Sequence, residues 1–435
     1  MAGSSSTSAG RSRWPRPPRR IATSNRANRR ASCCCCRDAR EEASSGQPVV
    51  RDFTWNRPDE SGGGHSMSKP WTRRQVLAQM GIAAAAVHTL DPHELCCATP
   101  AWAQTADKEL FELQKVGDGV YAAIAAPRYK TNCNAAVIVT NDGVVVVDSH
   151  SKPSAARALY KEIQGITNKP VRKLVNTHFH FDHWQGNQIY AEGNPGLEVV
   201  ATQRTRENLT RPDAGLGGIP FVEKQVTTLL PAEIQKLKDD VMRASNPEMK
   251  ARLESNLQQA EAYFQELKSF KPTLPTRTVS STTTLQEGGR EIQLHVFGRG
   301  HTDGDLFIYL PKEKIVATGD ALIDWMPFMN DGYPEDWVQT LSALENLDFA
   351  QIIPGHGTVL PKSNLAFFRG YMADLIAAVR KAAGEGASLE EMQKKISDDL
   401  APKYEKGMSK YPIGQYRDRV GVNVEMVLKK VVKKA

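Results

Sequence analysis

The stretch VRKLVNTHFHFDH, residues 171–183, decides the fold. Its first five residues are mainly apolar and predict a buried strand, which leads directly into an H-x-H-x-D-H run. A loop that leaves a strand can turn alternate side chains toward one point, which a helix with this spacing could not do. Imidazole and carboxylate are ligands that suit Zn²⁺ where one coordination position stays open for water. The stretch therefore predicts a metal site with His178, His180, Asp182 and His183 as ligands.

Three further residues extend this pattern. His301 lies in Gly-Arg-Gly-His-Thr-Asp-Gly-Asp, Asp320 in Ala-Thr-Gly-Asp and His356 in Pro-Gly-His-Gly, and each of the last two follows its own β-branched run. Only 10 of 435 residues are His, so chance would give three His and one Asp in this pattern in roughly one chain in several thousand. All seven residues together predict a site for two metals, whereas isolated histidines such as His150 and His295 are expected to be ordinary residues.

The charge of the chain is confined to its beginning. The formal net charge is +7, but residues 1–66 hold 12 Arg, no Lys and 6 acidic residues, and from residue 104 onward 41 basic residues balance 41 acidic ones. Because residues 104–435 have no net positive charge to bind a phosphate backbone, we expect no nucleic-acid partner. Cys133 is the one cysteine after residue 103. It cannot form an internal disulfide there and is predicted to be a small core residue.

Residues 67–103 have the pattern of a twin-arginine signal peptide. The pair Arg73-Arg74 precedes a mild apolar stretch at 81–87, and a small-x-small cleavage site follows at Ala101-Trp102-Ala103. The apolar stretch is too short for stable membrane insertion. We therefore expect transient contact with the twin-arginine export machinery and a periplasmic or secreted mature chain. The alternative is an arginine pair that happens to precede an ordinary helix.

Residues 1–66 are rich in Ser, Arg, Pro and Gly and have no apolar periodicity, which predicts disorder. Met67 stands where an export signal should begin. One hypothesis is that Met67 is the true start and that the preceding residues are upstream sequence included in error. An organellar transit peptide, which would also be rich in Arg and Ser, is the rival.

From residue 104 to residue 362 the pattern predicts a catalytic domain of strands and helices. A charged, Leu-spaced segment at 231–268 predicts a helical pair inserted between two β-rich parts, and residues 363–435 predict a helical C-terminal extension. The predicted strands are Val120–Ile124, Ala135–Thr140, Val144–Val147, Val171–Val175, Leu197–Ala201, Thr276–Val279, Ile292–Val296, Leu306–Leu310 and Lys314–Thr318, and the other predicted helices are Ser154–Gln164, Phe367–Ala383, Ser388–Leu400 and Asn423–Val432.

The order H-x-H-x-D-H, G-H-T-x-G-D, G-D, P-G-H-G resembles the metallo-β-lactamase superfamily over about residues 110–362. The resemblance implies an α+β fold, a four-layer αββα sandwich of two packed sheets with helices outside and metals at one edge. It also implies two Zn²⁺ per chain. In that pattern His178, His180 and His301 hold the first metal, Asp182, His183 and His356 hold the second, and Asp320 bridges them.

Two zinc ions at such a site can share one hydroxide and make it available near neutral pH. The expected substrate is a small ester, amide, lactam (a β-lactam included) or lactone, whose carbonyl the hydroxide attacks. Asp182 is the predicted catalytic residue, because its carboxylate can orient the nucleophile and then carry a proton toward the leaving atom. No Ser or Cys nucleophile is required.

Other functions stay open. Asp320 stands at a position where some family lactamases have Cys, and a bridging Asp is more similar to glyoxalase II and lactonases. A thioester hydrolase of the glyoxalase-II type is therefore one alternative, although no clear thioester-binding motif is present. A second is an oxidoreductase resembling the persulfide dioxygenases of the superfamily, which use one iron. A third is a binding protein with a relic site, which the complete ligand set disfavours.

Several residues near the ligands are candidates for supporting roles. Trp184 and the run Trp325-Met326-Pro327-Phe328 are expected to form an apolar wall for the substrate, or else to pack as ordinary loop residues. Arg299 and Tyr333 are candidate partners for an oxyanion or carboxylate. Asp148 follows the predicted strand at 144–147, and it is expected either to orient a ligand or to cap the strand end. Asp303 and Asp305, near His301, are expected to support a ligand or a turn.

Overall fold

The computed structural model describes residues 110–126, 133–408 and 416–433. The predictions made for residues 1–103, including the export signal and the disordered upstream segment, lie outside the described residues. Across these three ranges, no helix combines the length and the apolar character that a bilayer span needs.

A seven-stranded sheet forms the first half of the fold. Its strands follow chain order from β1 to β7, with antiparallel pairing up to β4 and parallel pairing from β4 onward. The Asn141-Asp142-Gly143 turn joins β3 to β4 as an antiparallel pair, and an Asp-Gly pair between two apolar runs favours such a hairpin. The bounds are β1 Phe111–Gly117, β2 Val120–Ala125, β3 Ala135–Val139, β4 Val144–Val147, β5 Val171–Val175, β6 Glu198–Thr202 and β7 Arg277–Val279.

A six-stranded sheet forms the second half, in the order β13-β12-β11-β10-β9-β8. All its neighbours pair antiparallel except β11 and β12, which are parallel and therefore end at the same edge of the sheet. The bounds are β8 Thr283–Glu287, β9 Arg290–His295, β10 Phe307–Leu310, β11 Ile315–Gly319, β12 Gln351–Pro354 and β13 Leu360–Pro361.

The helices cover the outer faces of the two sheets. Thr202 and Asn246 cap two of them by accepting a bond from the backbone N–H three residues on, at 3.1 Å from Thr205 and 2.9 Å from Met249. The bounds are α1 Pro153–Ile166, α2 Phe181–Trp184, α3 Asn187–Gly193, α4 Gln203–Thr210, α5 Ile219–Lys224, α6 Leu230–Arg243, α7 Pro247–Lys268, α8 Pro334–Glu345, α9 Ser363–Gly384, α10 Leu389–Met408 and α11 Tyr416–Val427, with π-helical turns at Gln225–Leu229 and Leu428–Val432.

The β4 strand shows how the layers meet. Val145 and Val147 pack in the cluster between the two sheets, whereas Val144 and Val146 pack in the cluster that joins the first sheet to α1 and α3. A strand buried on both faces in this way reads as a continuous apolar run, because both alternating sets face a core. A third cluster joins the outer face of the second sheet to α8–α11. The predicted αββα sandwich with inserted and C-terminal helices is confirmed.

Asn134 ties the two halves together at the sheet edge. Its side-chain oxygen accepts a bond from the Ala125 N–H at 3.0 Å, and its amide nitrogen donates to the carbonyls of Pro354 and Gly357 at 2.9 and 2.8 Å. Because Asn134 is buried, these three bonds satisfy a group that would be costly to leave unpaired. They link β2 and β3 of the first sheet to the loop that follows β12 in the second.

Candidate metal centre

The seven predicted ligands lie at the ends of strands along one edge of the sandwich. The first four follow β5, Asp320 follows β11 directly, and His356 comes two residues after β12. His301 lies in the loop between β9 and β10. Sequence reasoning placed the H-x-H-x-D-H run entirely in a loop, whereas Asp182 and His183 lie on the one-turn helix α2, which turns both side chains inward.

The structure brings the seven residues together in two buried groups. His178, His180, His301 and Asp320 form the first group, and Asp182, His183 and His356 form the second. Within each group the nitrogen or oxygen atoms that could bind a metal all lie within 4.8 Å of one another. The residues selected from the sequence as ligands therefore share one site.

Three buried atoms at this site have no hydrogen-bond partner among the described residues: His178 Nε2, His183 Nε2 and Asp320 Oδ1. A buried polar atom left unpaired costs about 1–3 kcal/mol, so the arrangement is unfavourable unless something else binds these atoms. Two imidazole lone pairs and a carboxylate oxygen are suitable donors for Zn²⁺. This donor set fits a metal.

Distances between the two groups fit shared ligation by Asp320. Its Oδ1 lies 3.3 Å from His183 Nε2, and its Oδ2 lies 3.6 Å from His301 Nε2 and 3.2 Å from His356 Nε2. Ligands bound at 2.0–2.1 Å around a tetrahedral zinc ion stand about 3.3 Å apart. The Asp320 carboxylate thus lies between a histidine of the first group and two of the second.

Hydrogen bonds to the outer ring nitrogens turn the inner nitrogens toward the centre of the site, where His301 Nε2 and His180 Nδ1 lie 2.9 Å apart. His183 Nδ1 donates to Asp148 Oδ2 at 2.7 Å, and His180 Nε2 donates to Asp331 Oδ2 at 2.9 Å. His301 Nδ1 donates to the Phe328 carbonyl at 3.1 Å. In each ring the second nitrogen then carries the lone pair, which is how histidine ligands are held in the tautomer a metal needs.

Asp148 supports ligands from inside the sandwich. Both its oxygens accept bonds from Thr177, one from the N–H and one from the hydroxyl, at 2.8 Å each. Since that hydroxyl proton is used, the Thr177 oxygen can accept the Nδ1–H of His178 at 3.0 Å. Asp148 also has a positive φ of 57°, which is uncommon outside glycine and is found at constrained functional sites. Of its two expected roles, orienting ligands is the one that these contacts support.

The two groups differ in electrostatics. Burial lowers the pKa of His301 to about 3, with His180 adding to the effect, and burial also holds the pKa of His178 well below its usual range. In the second group burial opposes the shift, but the carboxylates of Asp320 and Asp182 raise the pKa of His356 to about 10. His178 and His301 are thus neutral near pH 7, whereas a metal that binds His356 must displace a proton.

For three of the neighbouring residues, Trp184, Met326 and Pro327, packing is the alternative that the structure supports. Trp184 is fully buried, and its Nε1–H donates to the carbonyls of Phe179 and Gly217, so it is a core residue and not a substrate wall. Met326 and Pro327 are buried as well. Arg299 pairs with Asp336 at 2.5 Å and stacks over the Tyr333 ring at 4.3 Å, so its guanidinium is engaged by side chains of the protein itself.

Other predicted neighbours do lie at the site. Trp325 is partly exposed and its ring packs 5.2 Å from that of His356, while the Phe328 ring lies 6.1 Å from that of His180. Asp305 accepts two bonds from the backbone N–H and one from the hydroxyl of Thr302, next to His301, and burial raises its pKa to about 7. Asp303 accepts a bond from Asn208 at 2.6 Å. Cys133 is a buried core residue, as expected.

A cavity of about 410 Å³ lies beside the first group. Phe179 and Asp331, both next to His180, line it together with Tyr333 and Lys430. Tyr333 therefore faces a cavity, although its ring is covered in part by Arg299. Asp331 and Lys430 were not selected from the sequence, because neither stands in a metal-ligand pattern.

The chain is similar to several known proteins. A family model described as the metallo-beta-lactamase superfamily matches residues 128–356. A curated protein named metallo-beta-lactamase type 2, from Elizabethkingia meningoseptica, is 20% identical over 254 residues, which cover 56% of this chain and 78% of that protein. A solved metallo-beta-lactamase from Pontibacter korlensis is 18% identical with a TM-score of 0.42, covering 60% of this chain and 99% of that one.

Proposed function

The chain belongs to the metallo-beta-lactamase superfamily, and on that premise we propose that it is a hydrolase with two zinc ions bound by its seven His and Asp residues. The observation that carries the proposal is that the seven side chains meet in two buried groups, in which Nε2 of His178, Nε2 of His183 and Oδ1 of Asp320 form no hydrogen bond among the described residues. Two complete groups favour two metals over one, because a single ion would leave the donors of the other group unused.

Bound zinc ions would supply Lewis acidity, which lowers the pKa of a coordinated water and polarises a substrate carbonyl. The chain itself supplies orientation and proton transfer. His178, His180 and His301 would hold one ion, and Asp182, His183 and His356 the other, with Asp320 shared between the two groups. Asp182 Oδ2 lies 3.2 Å from His356 Nε2, so its carboxylate is at the site and is placed to orient water and pass a proton to the leaving atom.

The substrate class we propose is a small ester, amide, lactam or lactone. The partly exposed rings of Trp325 and Phe328 supply an apolar surface on either side of the ligands. A β-lactam fits this class, and the curated relative from Elizabethkingia bears that name, at 20% identity. A thioester of the glyoxalase-II type is the second candidate, favoured by an Asp at the bridging position.

Metal analysis and parallel assays test the proposal. We expect the purified chain to contain two zinc ions, to lose hydrolytic activity on chelation and to regain it with Zn²⁺. Nitrocefin, an acyl-lactone and lactoylglutathione, assayed side by side, separate the lactam, lactone and thioester classes. A single bound iron with persulfide-oxidising activity would replace the hydrolase with an oxidoreductase. Full activity in protein shown to be free of metal would contradict the zinc assignment.

We also propose that the protein is exported by the twin-arginine route. The support is the sequence pattern at residues 67–103 alone, with its arginine pair and its small-x-small site. Changing Arg73 and Arg74 both to Lys keeps the charge but removes the guanidinium groups. We expect the double variant to accumulate as uncleaved cytoplasmic precursor, and a chain that begins at Met67 to be exported normally. Processing of the Lys variant would contradict the route.

A further inference from the structure

Residues 328–332, here called the support loop, hold two ligands of the first group. The Phe328 carbonyl accepts the Nδ1–H of His301 at 3.1 Å, and the Asp331 carboxylate accepts the Nε2–H of His180 at 2.9 Å. Because each bond fixes the orientation and tautomer of a ligand ring, the position of this loop sets the direction of both inner lone pairs.

Lys430 donates hydrogen bonds to the support loop, although it lies 100 positions after Asn330 in the chain. Its Nζ donates to the carbonyls of Met329 at 3.2 Å and Gly332 at 2.9 Å, and also to that of Asn330. An ammonium group has three N–H donors, and here all three are used on carbonyls that flank Asp331. Lys430 lies in the π-helical turn after α11, well beyond the residues 128–356 that match the family.

Close packing of Gly332 and Met329 against neighbouring residues restricts the movement of the support loop. A Cβ added at Gly332 would lie 3.2 Å from the Trp337 ring and 3.3 Å from the Gly300 carbonyl, and Met329 is fully buried in the cluster that contains Val424 and Val427. If the ammonium were removed, the carbonyls of Asn330 and Gly332 would lose this donor, and that of Met329 would keep only the Gly332 N–H at 3.1 Å. Because packing holds the rest of the loop, the peptides on either side of Asp331 would rotate toward water, which would also turn Asp331.

We propose that Lys430 is a positioning residue for the first metal, acting through the support loop on His180 and His301. The C-terminal helices would then complete half of the metal centre and not only cover the second sheet. The proposal rests on the proposed two-metal function. The second group should not depend on Lys430, because His183 is held by Asp148 and not by the support loop.

Titration of metal-free protein with Co²⁺, followed by visible absorption, tests the proposal. The wild-type chain should show two binding events, one of which His301→Ala removes. Lys430→Met should weaken that same event by about 10- to 100-fold and leave the other unchanged. The double variant Lys430→Met/His301→Ala should bind Co²⁺ like His301→Ala alone. Lys430→Gln, which keeps two N–H donors, should show an intermediate loss and serves if the Met variant does not fold.

Lys429→Met is the matched control. Lys429 is the neighbouring residue, is exposed and pairs with Glu425 on its own helix, so both binding events should match the wild type. Equal weakening of both events by Lys430→Met would show a role in general stability and overturn the proposal, as would two unchanged events. A wild-type chain that binds no metal would refute the proposed function and this inference together.

Discussion

Asp148 and Asp331 perform the same task in unlike settings. Each carboxylate accepts an N–H from a ligand ring, Asp148 from His183 at 2.7 Å and Asp331 from His180 at 2.9 Å. The Asp148 side chain is 3% exposed and stands at the end of β4, inside the sandwich. The Asp331 side chain is 24% exposed and lies on a loop that lines a cavity.

The difference shows that the two halves of the site are built from different parts of the chain. The second group depends on contacts within the sandwich itself, where burial strengthens each bond and excludes water. The first group depends in part on a loop that the C-terminal extension holds. Substitutions that weaken one support should therefore leave the other intact, and their effects should follow the burial of the carboxylate.

The largest effect is expected from Asp182→Asn, which acts on the second group directly. Asparagine has almost the same shape, but it cannot carry a negative charge or transfer a proton, so turnover should fall by about 10²- to 10⁴-fold with the fold intact. Steady-state kinetics on the substrate found in the parallel assays, with metal content and circular dichroism, measures this. Asp239→Asn, a change of a partly exposed residue on α6 that accepts a bond from Gln235 of the same helix, is the control. Near-normal turnover with two metals bound would mean that Asp182 is not catalytic.

A smaller effect is expected from Asp148→Asn. The variant loses the charge that holds His183 and the second acceptor for Thr177, so the affinity of the second group for metal should fall by about 10- to 100-fold. The Co²⁺ titration described above measures it. Because Thr177 also contacts His178, a slight fall in the Co²⁺ affinity of the first group would not contradict the comparison. A loss of Co²⁺ affinity confined to the binding event that His301→Ala removes would show that Asp148 supports the first group, which contradicts the comparison.

The smallest effect is expected from Asp331→Asn. Its side chain is partly open to the cavity, so water and the remaining amide oxygen can replace part of the lost interaction with His180. We expect about a 10-fold loss of affinity at the first group alone. Should the loss equal or exceed that of Asp148→Asn in the same titration, burial of the carboxylate would not be what decides the strength of these supports.

The ligands could be found from the sequence because each has a distinctive side chain next to Gly or at the end of an apolar run. Their supports could not be found in this way. Asp331 reaches His180 over 151 positions in the chain, and Lys430 reaches Met329 over 101. Phe328 acts through its backbone carbonyl, which carries no side-chain identity. Contacts of this kind are created by the fold and leave no local pattern.

A similar limit applies to the strands. Val144–Val147 and Val171–Val175 were predicted with the bounds that the structure gives, because both are interior strands with apolar residues. β1 and β8 were not predicted. Each lies at the edge of its sheet and alternates exposed or half-exposed polar residues with few buried ones, so the apolar signal is too weak. Helix α4 was missed because it is short and mostly polar, and α5 because its six residues, IPFVEK, are too few to show a helical period.

The contacts of Asn134 bear on the order in which this protein folds. Its side chain joins carbonyls that lie 220 and 223 positions away in the chain, so these bonds can form only after the two sheets have docked. Closing so large a loop costs entropy before any contact repays it, and contacts of this range slow folding. His356 lies between the two carbonyls that Asn134 holds. The metal centre should consequently be among the last parts of the molecule to assemble, and metal uptake during refolding should follow the docking of the sheets.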